Sequence, residues 1–246
     1  MKKQKDNYDI SNLLEIMMAL RDPDSGCPWD QEQTHTSMKR NLLEECYELL
    51  EAIDQCDYQK LLEELGDLLM QIMFHCHMAE ETGAFRPEDV FHAINTKLVN
   101  RHPHVFGDTK MDSVSEAVPR WDAIKREELT GSDRSILDGV PKAMPALSYA
   151  QSVQGRAARM GFDWNDYQGV VDKVAEEVRE MNEADSLELK KREMGDLLFS
   201  LVNVSRWLGT ESEDALRQTN ARFYERFTTM ERLCRKRGLK FVDLPL

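Results

Sequence analysis

Ten acidic residues in this chain form the same five-carboxylate pattern twice. Each copy has an adjacent Glu pair, a further Glu three positions later and, after a gap, a Glu and an Asp three positions apart. The copies are Glu44, Glu45, Glu48, Glu64 and Asp67, then Glu176, Glu177, Glu180, Glu193 and Asp196. Because 45 of the 246 residues are acidic, one copy is close to what chance provides. Two copies in the same order indicate an internal repeat.

Carboxylates at this spacing could hold a hard divalent cation. Residues three or four positions apart share one helix face, so Glu177 can converge with Glu180 and Glu193 with Asp196. Two antiparallel helices can aim both pairs into one groove, giving four oxygen ligands that suit Mg²⁺, or Mn²⁺ as a substitute, better than zinc. A cation would also relieve the repulsion between crowded carboxylates. The alternative is that these acids form ordinary solvated helix faces.

Basic residues accompany both acidic sets. An Asn-x-basic-x-x-x-Arg motif follows each set and supplies Lys97 and Arg101 in the first half, Arg222 and Arg226 in the second. Lys173 precedes Glu177 by four residues. Metal and converging cations together suit a polyphosphate, because metal bridges some oxygens and arginine binds others. For Lys173 the alternative is an ordinary ion pair on the helix surface.

Other candidate chemistry is weaker. Glu32-x-x-His35 has the spacing of a di-iron bundle, but no second such motif lies in register. The runs 75–77 and 102–104 each contain two histidines without a zinc-like partner pair, so packing or capping roles are favoured. The five cysteines are an odd number without C-x-x-C spacing, which indicates free thiols. A P-loop motif is absent, and nothing marks a Ser or Cys nucleophile.

The elements that must position the acids are predicted to be helices. Apolar residues recur at i, i+3, i+4 and i+7 in four segments: 38–54, 61–73, 170–181 and 194–204. A third helix in each half would carry the basic pair, at 87–101 and at 211–237. No strand alternation of useful length occurs. We therefore predict an all-α fold of two tandem helical bundles, each with three or four helices.

Length and composition fit two modest domains with a connector. Hydrophobic residues make up 41% and charged residues 31%, as in a soluble globular protein. The predicted domains are residues 1–104 and 146–246. The linker between them, 105–145, is punctuated by Gly and Pro and would contain one short helix near 114–129.

Charge and hydropathy argue against several partners. The net charge of −13 disfavours direct binding to nucleic acid or to anionic membranes, since both require clustered Lys and Arg. No apolar run approaches the roughly 20 residues of a membrane span. The start MKKQKDNYD lacks the apolar segment of a signal peptide. We expect a cytoplasmic protein.

These motifs resemble the MazG family of nucleoside triphosphate pyrophosphohydrolases, whose mark is EExxE, a variable gap and ExxD. The resemblance runs from about residue 10 to about residue 240. The segments that support it are 26–30 (GCPWD), 101–106 (RHPHVF), 139–141 (GVP), 161–164 (GFDW) and the two ELGDLL-like blocks at 64–69 and 193–198.

The resemblance implies an all-helical homodimer that uses Mg²⁺ to hydrolyse (d)NTPs of any base between the α and β phosphates, giving nucleoside monophosphate and pyrophosphate. It implies metal binding by Glu177, Glu180, Glu193 and Asp196, with Glu176 holding a second ion or orienting the attacking water. Lys173, Arg222 and Arg226 would bind the triphosphate. A second possible site would comprise Glu44, Glu45, Glu48, Glu64, Asp67, Lys97 and Arg101.

The second half is predicted to be the main catalytic one. Phe74 stands seven residues after Asp67, where Asn203 stands after Asp196, so the first half lacks one polar group. Many relatives carry a further Trp- and Lys-bearing segment implicated in nucleotide contact, whereas this sequence stops at Leu246. We expect that difference to affect contacts with the base and to leave the chemistry at the phosphates intact.

Two other functions fit the same residues. One is a hydrolase narrowed to a single unusual nucleotide, such as dUTP or a damaged triphosphate. The other is a helical regulator or interaction module of a nucleotide stress pathway, with weak or no catalysis.

Overall fold

The computed structural model describes residues 9–107 and 135–241, which fall in two compact units. The first unit contains α1 (Ile10–Leu20), α2 (Pro28–Glu32), α3 (Lys39–Asp54), α4 (Tyr58–Glu81), α5 (Pro87–Arg101) and α6 (Pro103–Phe106). The second contains α7 (Ala146–Ala158), α8 (Tyr167–Glu183), α9 (Leu187–Trp207) and α10 (Ser212–Arg237). The described residues form no strand, and the predicted all-α fold is confirmed. The helix predicted near 114–129 lies outside the described residues.

Polar caps fix where the helices that carry the acids begin. Asp57 accepts backbone hydrogen bonds at the start of α4, Asp166 does so at the start of α8, and Ser186 at the start of α9. Helix α10 ends as predicted at Gly238, whose φ of 65° is left-handed and suits glycine.

The two acid-bearing helices of each unit are packing neighbours. In the first unit α3 lies against α4, and in the second α8 lies against α9; each is the most extensive helix contact of its unit. Only three residues connect the helices in each pair, so the chain reverses direction between them. This pairing brings the EExxE glutamates of one helix beside the ExxD acids of the next.

The cores of the two units differ in composition. The first is rich in sulfur, with Met17, Met38, Met73, Cys76 and Met78 packed around Phe74. Flexible methionine side chains fill irregular spaces well. The second unit buries Val140, Val170, Val202 and Cys234. Val140 belongs to the predicted linker, so the end of that linker is part of the second unit. The boundary predicted at residue 104 falls inside α6.

Large apolar side chains remain uncovered along the acid-bearing helices. On α3 they are Leu43, Tyr47, Leu50 and Ile53, and on α4 they are Leu62, Leu65, Leu69 and Ile72. In the second unit Val171, Val178, Met194, Leu198 and Leu201 are similarly exposed. The four segments with apolar residues at helical spacing are therefore helices, but part of each apolar face is exposed on the surface of its unit.

All five cysteines are free thiols, as their number and spacing predict. Among the described residues, no helix is both long enough and apolar enough to cross a membrane.

Candidate functional site

The second unit brings its acids together on two helices. Glu177 and Glu180 on α8 and Glu193 on α9 each offer a carboxylate oxygen, and these oxygens lie within 4.8 Å of one another. Glu177 is only 4% exposed, Glu193 is half-buried and Glu180 is exposed. Asp196, one turn beyond Glu193, borders the same cavity. The four acids predicted to bind metal thus face one region.

Lys173 provides a positive charge beside this cluster. Its Nζ lies 2.7 Å from Oε1 of Glu177 and 2.9 Å from Oε1 of Glu176. Hydrogen bonds to Glu177 and Glu176 raise the pKa of Lys173 above its usual value. The Lys173 ammonium thus gives the buried Glu177 carboxylate a partner of opposite charge. The ion pair that was the alternative for Lys173 is present, and Lys173 also borders the cavity.

The acids open on a cavity of about 1180 Å³. One wall is a polar stripe along α9, formed by Glu193, Asp196, Ser200, Asn203 and Arg206. Arg192 also borders the cavity, with its Nε 3.9 Å from Oδ2 of Asp196. Other walls come from Leu137, from α7 and from the loop 159–166, which supplies Phe162 and Trp164. Carboxylates and aromatic side chains therefore line the same cavity.

An arginine on α9 ties the loop 159–166 to that helix. Arg206 donates through Nη1 to Oδ2 of Asp163 at 3.0 Å and through Nη2 to Oδ1 of the same carboxylate. The indole Nε1 of Trp207 donates to Asp163 at 3.2 Å. Burial raises the pKa of Asp163, but hydrogen bonds from Arg206 and from the backbone of Trp164 outweigh burial and lower it. Asp163 is thus a charged anchor for the loop.

Trp164 is seated against the start of α8. A Cβ added at Gly169 would lie 2.9 Å from Cε3 of the Trp164 ring, so the ring packs directly on the glycine backbone. Asp166 accepts from the Gly169 amide at 2.8 Å and caps the helix beside it. The aromatic wall of the cavity is thereby fixed at both Asp163 and Trp164.

Several residues predicted for the site in the second unit lie elsewhere. The Glu176 carboxylate bonds to Lys173 and does not border the cavity. Arg222 and Arg226 are exposed on α10 and do not border it either, and Nη2 of Arg222 donates to Oγ1 of Thr219 at 2.7 Å. Substrate binding by the two arginines stays a prediction.

The first unit assembles a similar trio, to which no described lysine or arginine is ion-paired. Oxygens of Glu45, Glu48 and Glu64 lie within 4.8 Å of one another, and Glu64 is 5% exposed. Burial and then the nearby charge of Asp67 raise the pKa of Glu45, while burial and then Glu48 raise the pKa of Glu64. Within residues 9–107, no ion pair joins a lysine or arginine to the trio. Gln71, which is buried, hydrogen-bonds to Glu45.

The described residues of the first unit form a much smaller pocket beside its acids. A pocket of about 290 Å³ borders Glu44 and Glu48, but it lies along α3 alone and includes neither Glu45 nor Glu64. Lys97 is exposed and Arg101 is half-buried on α5, and neither borders that pocket. The residues of the second possible site are therefore only partly brought together.

The sequence reasoning missed the roles of Arg206 and Asp163. Arg206 continues the spacing of the ExxD acids along α9, since positions 193, 196, 200, 203 and 206 follow one another by three or four residues. That polar stripe is a signal the sequence does contain. Asp163 was quoted only within the segment 161–164, and nothing in the spacing predicts its pairing with a residue 43 positions away.

Comparisons with known proteins give a consistent result. A family model described as "MazG nucleotide pyrophosphohydrolase domain" matches residues 33–106. The "Nucleoside triphosphate pyrophosphohydrolase/pyrophosphatase MazG" of Thermotoga maritima is 46% identical over 237 residues, covering 96% of this chain and 91% of that protein. The "Nucleoside triphosphate pyrophosphohydrolase" of Escherichia coli K12 is 47% identical over 244 residues, covering 96% and 92%. The "Uncharacterized protein YabN" of Bacillus subtilis is 43% identical over 243 residues, covering 97% of this chain and 50% of that protein.

Proposed function

The chain belongs to the MazG nucleotide pyrophosphohydrolase family, and from this premise we propose that its second unit hydrolyses (d)NTPs to nucleoside monophosphate and pyrophosphate. The observation that carries the proposal is the convergence of Glu177, Glu180 and Glu193 at the wall of a cavity of about 1180 Å³. That volume is ample for a nucleotide, because small-molecule sites usually enclose about 300–1,000 Å³.

The donor set fits Mg²⁺. Its members are all carboxylate oxygens, which Mg²⁺ holds at about 2.0–2.1 Å. Oxygens within 4.8 Å of one another need only small side-chain rotations to share an ion. In the proposal Glu177, Glu180, Glu193 and Asp196 hold the metal. When bound, the metal would polarise the phosphate and lower the pKa of the attacking water.

The remaining chemistry falls to charged groups around these acids. Water attacks the α-phosphorus, the bond from that phosphorus to the oxygen bridging the α and β phosphates breaks, and pyrophosphate leaves with the bridging oxygen. The attacking water gives up its proton to solvent, and no covalent intermediate is needed. Lys173 borders the cavity and can stabilise the charge that develops on the leaving group. Glu176, hydrogen-bonded to Lys173, keeps that ammonium in place. Arg222 and Arg226 stay proposed triphosphate contacts.

The cavity wall supports binding of many bases. Phe162 is 84% exposed and Trp164 is 44% exposed, so each offers a ring face to a ligand. Every nucleobase has a face that can stack on an aromatic ring, and stacking therefore tolerates different bases. We propose broad base specificity on this ground.

Product identification tests the activity. The purified protein is incubated with each of the eight common (d)NTPs and Mg²⁺ or Mn²⁺, and products are separated by ion-exchange chromatography. We expect monophosphate and pyrophosphate in equal amounts from all eight. Release of inorganic phosphate would indicate phosphatase chemistry instead. Turnover of one unusual triphosphate alone would favour the narrowed hydrolase, and no turnover of any triphosphate would favour the regulator.

We also propose that the protein is a homodimer. The uncovered leucine and isoleucine side chains on α3 and α4 form an apolar surface, which on soluble proteins marks a contact site. A second copy of the chain would cover such a face by symmetric pairing. Light scattering at micromolar concentration should give twice the chain mass of 28.5 kDa, and a monomeric mass would contradict the proposal.

A further inference from the structure

We propose that the Asp163–Arg206 pair positions the loop 159–166 for the nucleoside part of the substrate, while the acids handle the phosphates. The inference rests on the proposed function. It assigns Arg206 a role through the loop, as a positioning residue, without contact to the reacting phosphates.

The loop needs an anchor of this kind. It leaves α7 through Gly161, whose φ of 85° turns the chain sharply, and the next residue, Phe162, is 84% exposed. Phe162 therefore gains little from packing within its own unit. The loop is held by backbone hydrogen bonds to the end of α7, by Trp164 on Gly169 and by the Asp163 carboxylate on α9. Among these attachments, the Asp163 carboxylate is the one that joins the loop to the helix carrying the ExxD acids.

Arg206 is built to hold that carboxylate in one geometry. Its side chain is 18% exposed, and Oδ1 of Asn203 accepts from both its Nε at 2.9 Å and its Nη2 at 2.8 Å. The guanidinium is thus oriented before it meets Asp163, and its planar fork matches the two carboxylate oxygens. A lysine could replace the charge but could not make the paired contact.

The position of the pair along α9 separates it from the metal ligands. Arg206 lies ten residues beyond Asp196, or about 15 Å along a helix with a rise of 1.5 Å per residue. The guanidinium is also occupied by Asp163 and Asn203, which leaves it poorly suited to bind phosphate. If the phosphates meet the acids, the sugar and base lie toward Phe162 and Trp164.

Within residues 9–107, the first unit has no equivalent of this arrangement. His77 occupies the place of Arg206 on α4, and it lies 3.3 Å from Glu81 of its own helix. Phe74, in the place of Asn203, is buried in the core. The Asp163–Arg206 pair therefore occurs in the unit that has the cavity of about 1180 Å³.

The test compares nucleotides with a ligand that has no base. Arg206→Lys and the isosteric Asp163→Asn are assayed for KM and kcat with dATP and dCTP, and for inhibition by inorganic tripolyphosphate. We expect KM to rise about tenfold or more, as for the loss of a charged hydrogen bond, with kcat changed less. The inhibition constant of tripolyphosphate should stay within about twofold, since the acids and Lys173 are untouched. Arg235→Lys, which alters a pair with Glu231 within α10 away from the cavity, is the matched control and should leave all three constants unchanged.

The possible outcomes are distinct. A parallel rise in KM and in the tripolyphosphate constant, or unchanged values for both, would overturn the positioning role. If Arg206→Lys does not fold, as judged by its melting curve, Asp163→Asn decides the question, because it removes the charge without changing shape. If the wild-type protein turns over no triphosphate, the proposed function itself has failed. This result differs from failure of the positioning role, which would appear only in the variants.

Discussion

In the second unit Lys173 bridges Glu176 and Glu177, whereas Asn41 holds the matching place in the first unit and no described lysine or arginine pairs with Glu45 there. Both units converge three carboxylates to within 4.8 Å. The carboxylate pattern thus determines where a metal could bind, and the neighbouring residues determine whether a charged substrate could join it.

The two units also differ in the residues that follow the ExxD acids along α4 and α9. In α9 the stripe that begins at Glu193 stays polar to Arg206 and lines a cavity. In α4 the matching stripe reaches Phe74, which turns into the methionine-rich core. The family model nevertheless matches residues 33–106, in the unit whose described pocket is the smaller one. Similarity in the helices that carry the acids does not by itself predict a complete substrate site.

Removing one acid from each unit should show the largest difference between the two units. Glu180→Ala is expected to lower kcat/KM for (d)NTPs by about 100-fold or more, because a metal ligand is lost. Glu48→Ala, at the matching place, should change it less than about threefold. Initial rates of pyrophosphate release measure both. Intact turnover in Glu180→Ala together with inactive Glu48→Ala would reverse the assignment of the catalytic unit.

Replacing the cation tests what separates the two acidic clusters. Lys173→Met should lower kcat/KM about 10- to 100-fold, since a charged hydrogen bond contributes roughly 1.5–3 kcal/mol. Lys173→Met should also lower the free energy of unfolding when metal is absent, because Glu177 would be buried without its charged partner. Lys191→Met is the control, as Lys191 pairs only with the exposed Glu188 at 3.6 Å. Equal losses in the two variants would show that general charge, and not the Lys173 contact, matters.

Neutralising Glu64 should stabilise the first unit when metal is absent. Since the folded-state pKa of Glu64 is raised, the folded chain binds this proton more tightly than the unfolded chain, and stability falls as pH rises from the ordinary glutamate pKa through the raised one. Glu64→Gln should therefore raise the melting temperature at pH 7 in EDTA, and less at pH 4. Added Mg²⁺ should reduce this rise in melting temperature, because a bound cation would offset both the burial of the Glu64 charge and its repulsion by Glu48.

Scanning calorimetry from pH 4 to pH 8, with EDTA or Mg²⁺, measures this difference. Glu15→Gln on the exposed face of α1 controls for the loss of one negative charge. A lower melting temperature for Glu64→Gln in EDTA at pH 7 would mean that like-charge repulsion does not strain the first cluster.

The turn between α3 and α4 offers a smaller test. Cys56 adopts a left-handed φ of 53°, which side chains disfavour, where helices commonly place glycine. Cys56→Gly should raise the free energy of unfolding by about 1 kcal/mol or less. Gln55→Gly, one residue earlier at φ −79°, should not. Urea denaturation distinguishes the two, and destabilisation by Cys56→Gly would contradict the strain at this turn.

The helices and the acids could be predicted because they depend on local spacing. Residues 38–54 show apolar periodicity in the sequence and residues 87–101 carry the first basic pair of the repeat, and helices α3 and α5 cover nearly the same residues. The convergence of Glu177 with Glu193 follows from two neighbouring helices joined by a short turn. Helices α1, α2, α6 and α7 were not predicted, since none carries an acid or a basic pair of the repeat.

What escaped prediction depends on tertiary contacts. The bond between Asp163 and Arg206 joins a loop to a helix 43 residues away, and neither residue type identifies its partner. The exposure of Leu62 at 69% also escaped, because a stripe of apolar residues does not say which partner covers it. The position of Arg222 away from the cavity depends on how α10 packs, which the repeat of the basic motif does not determine.

Gly169 limits how this chain can vary. Alanine forms helices better than glycine by up to about 1 kcal/mol, and Gly169 lies in the first turn of α8. Here a methyl group at Gly169 would stand 2.9 Å from Cε3 of the Trp164 ring and displace that ring, which borders the cavity. A change that improves α8 as an isolated helix would therefore alter the shape of the site, so selection for stability and selection for substrate binding oppose each other at this one position.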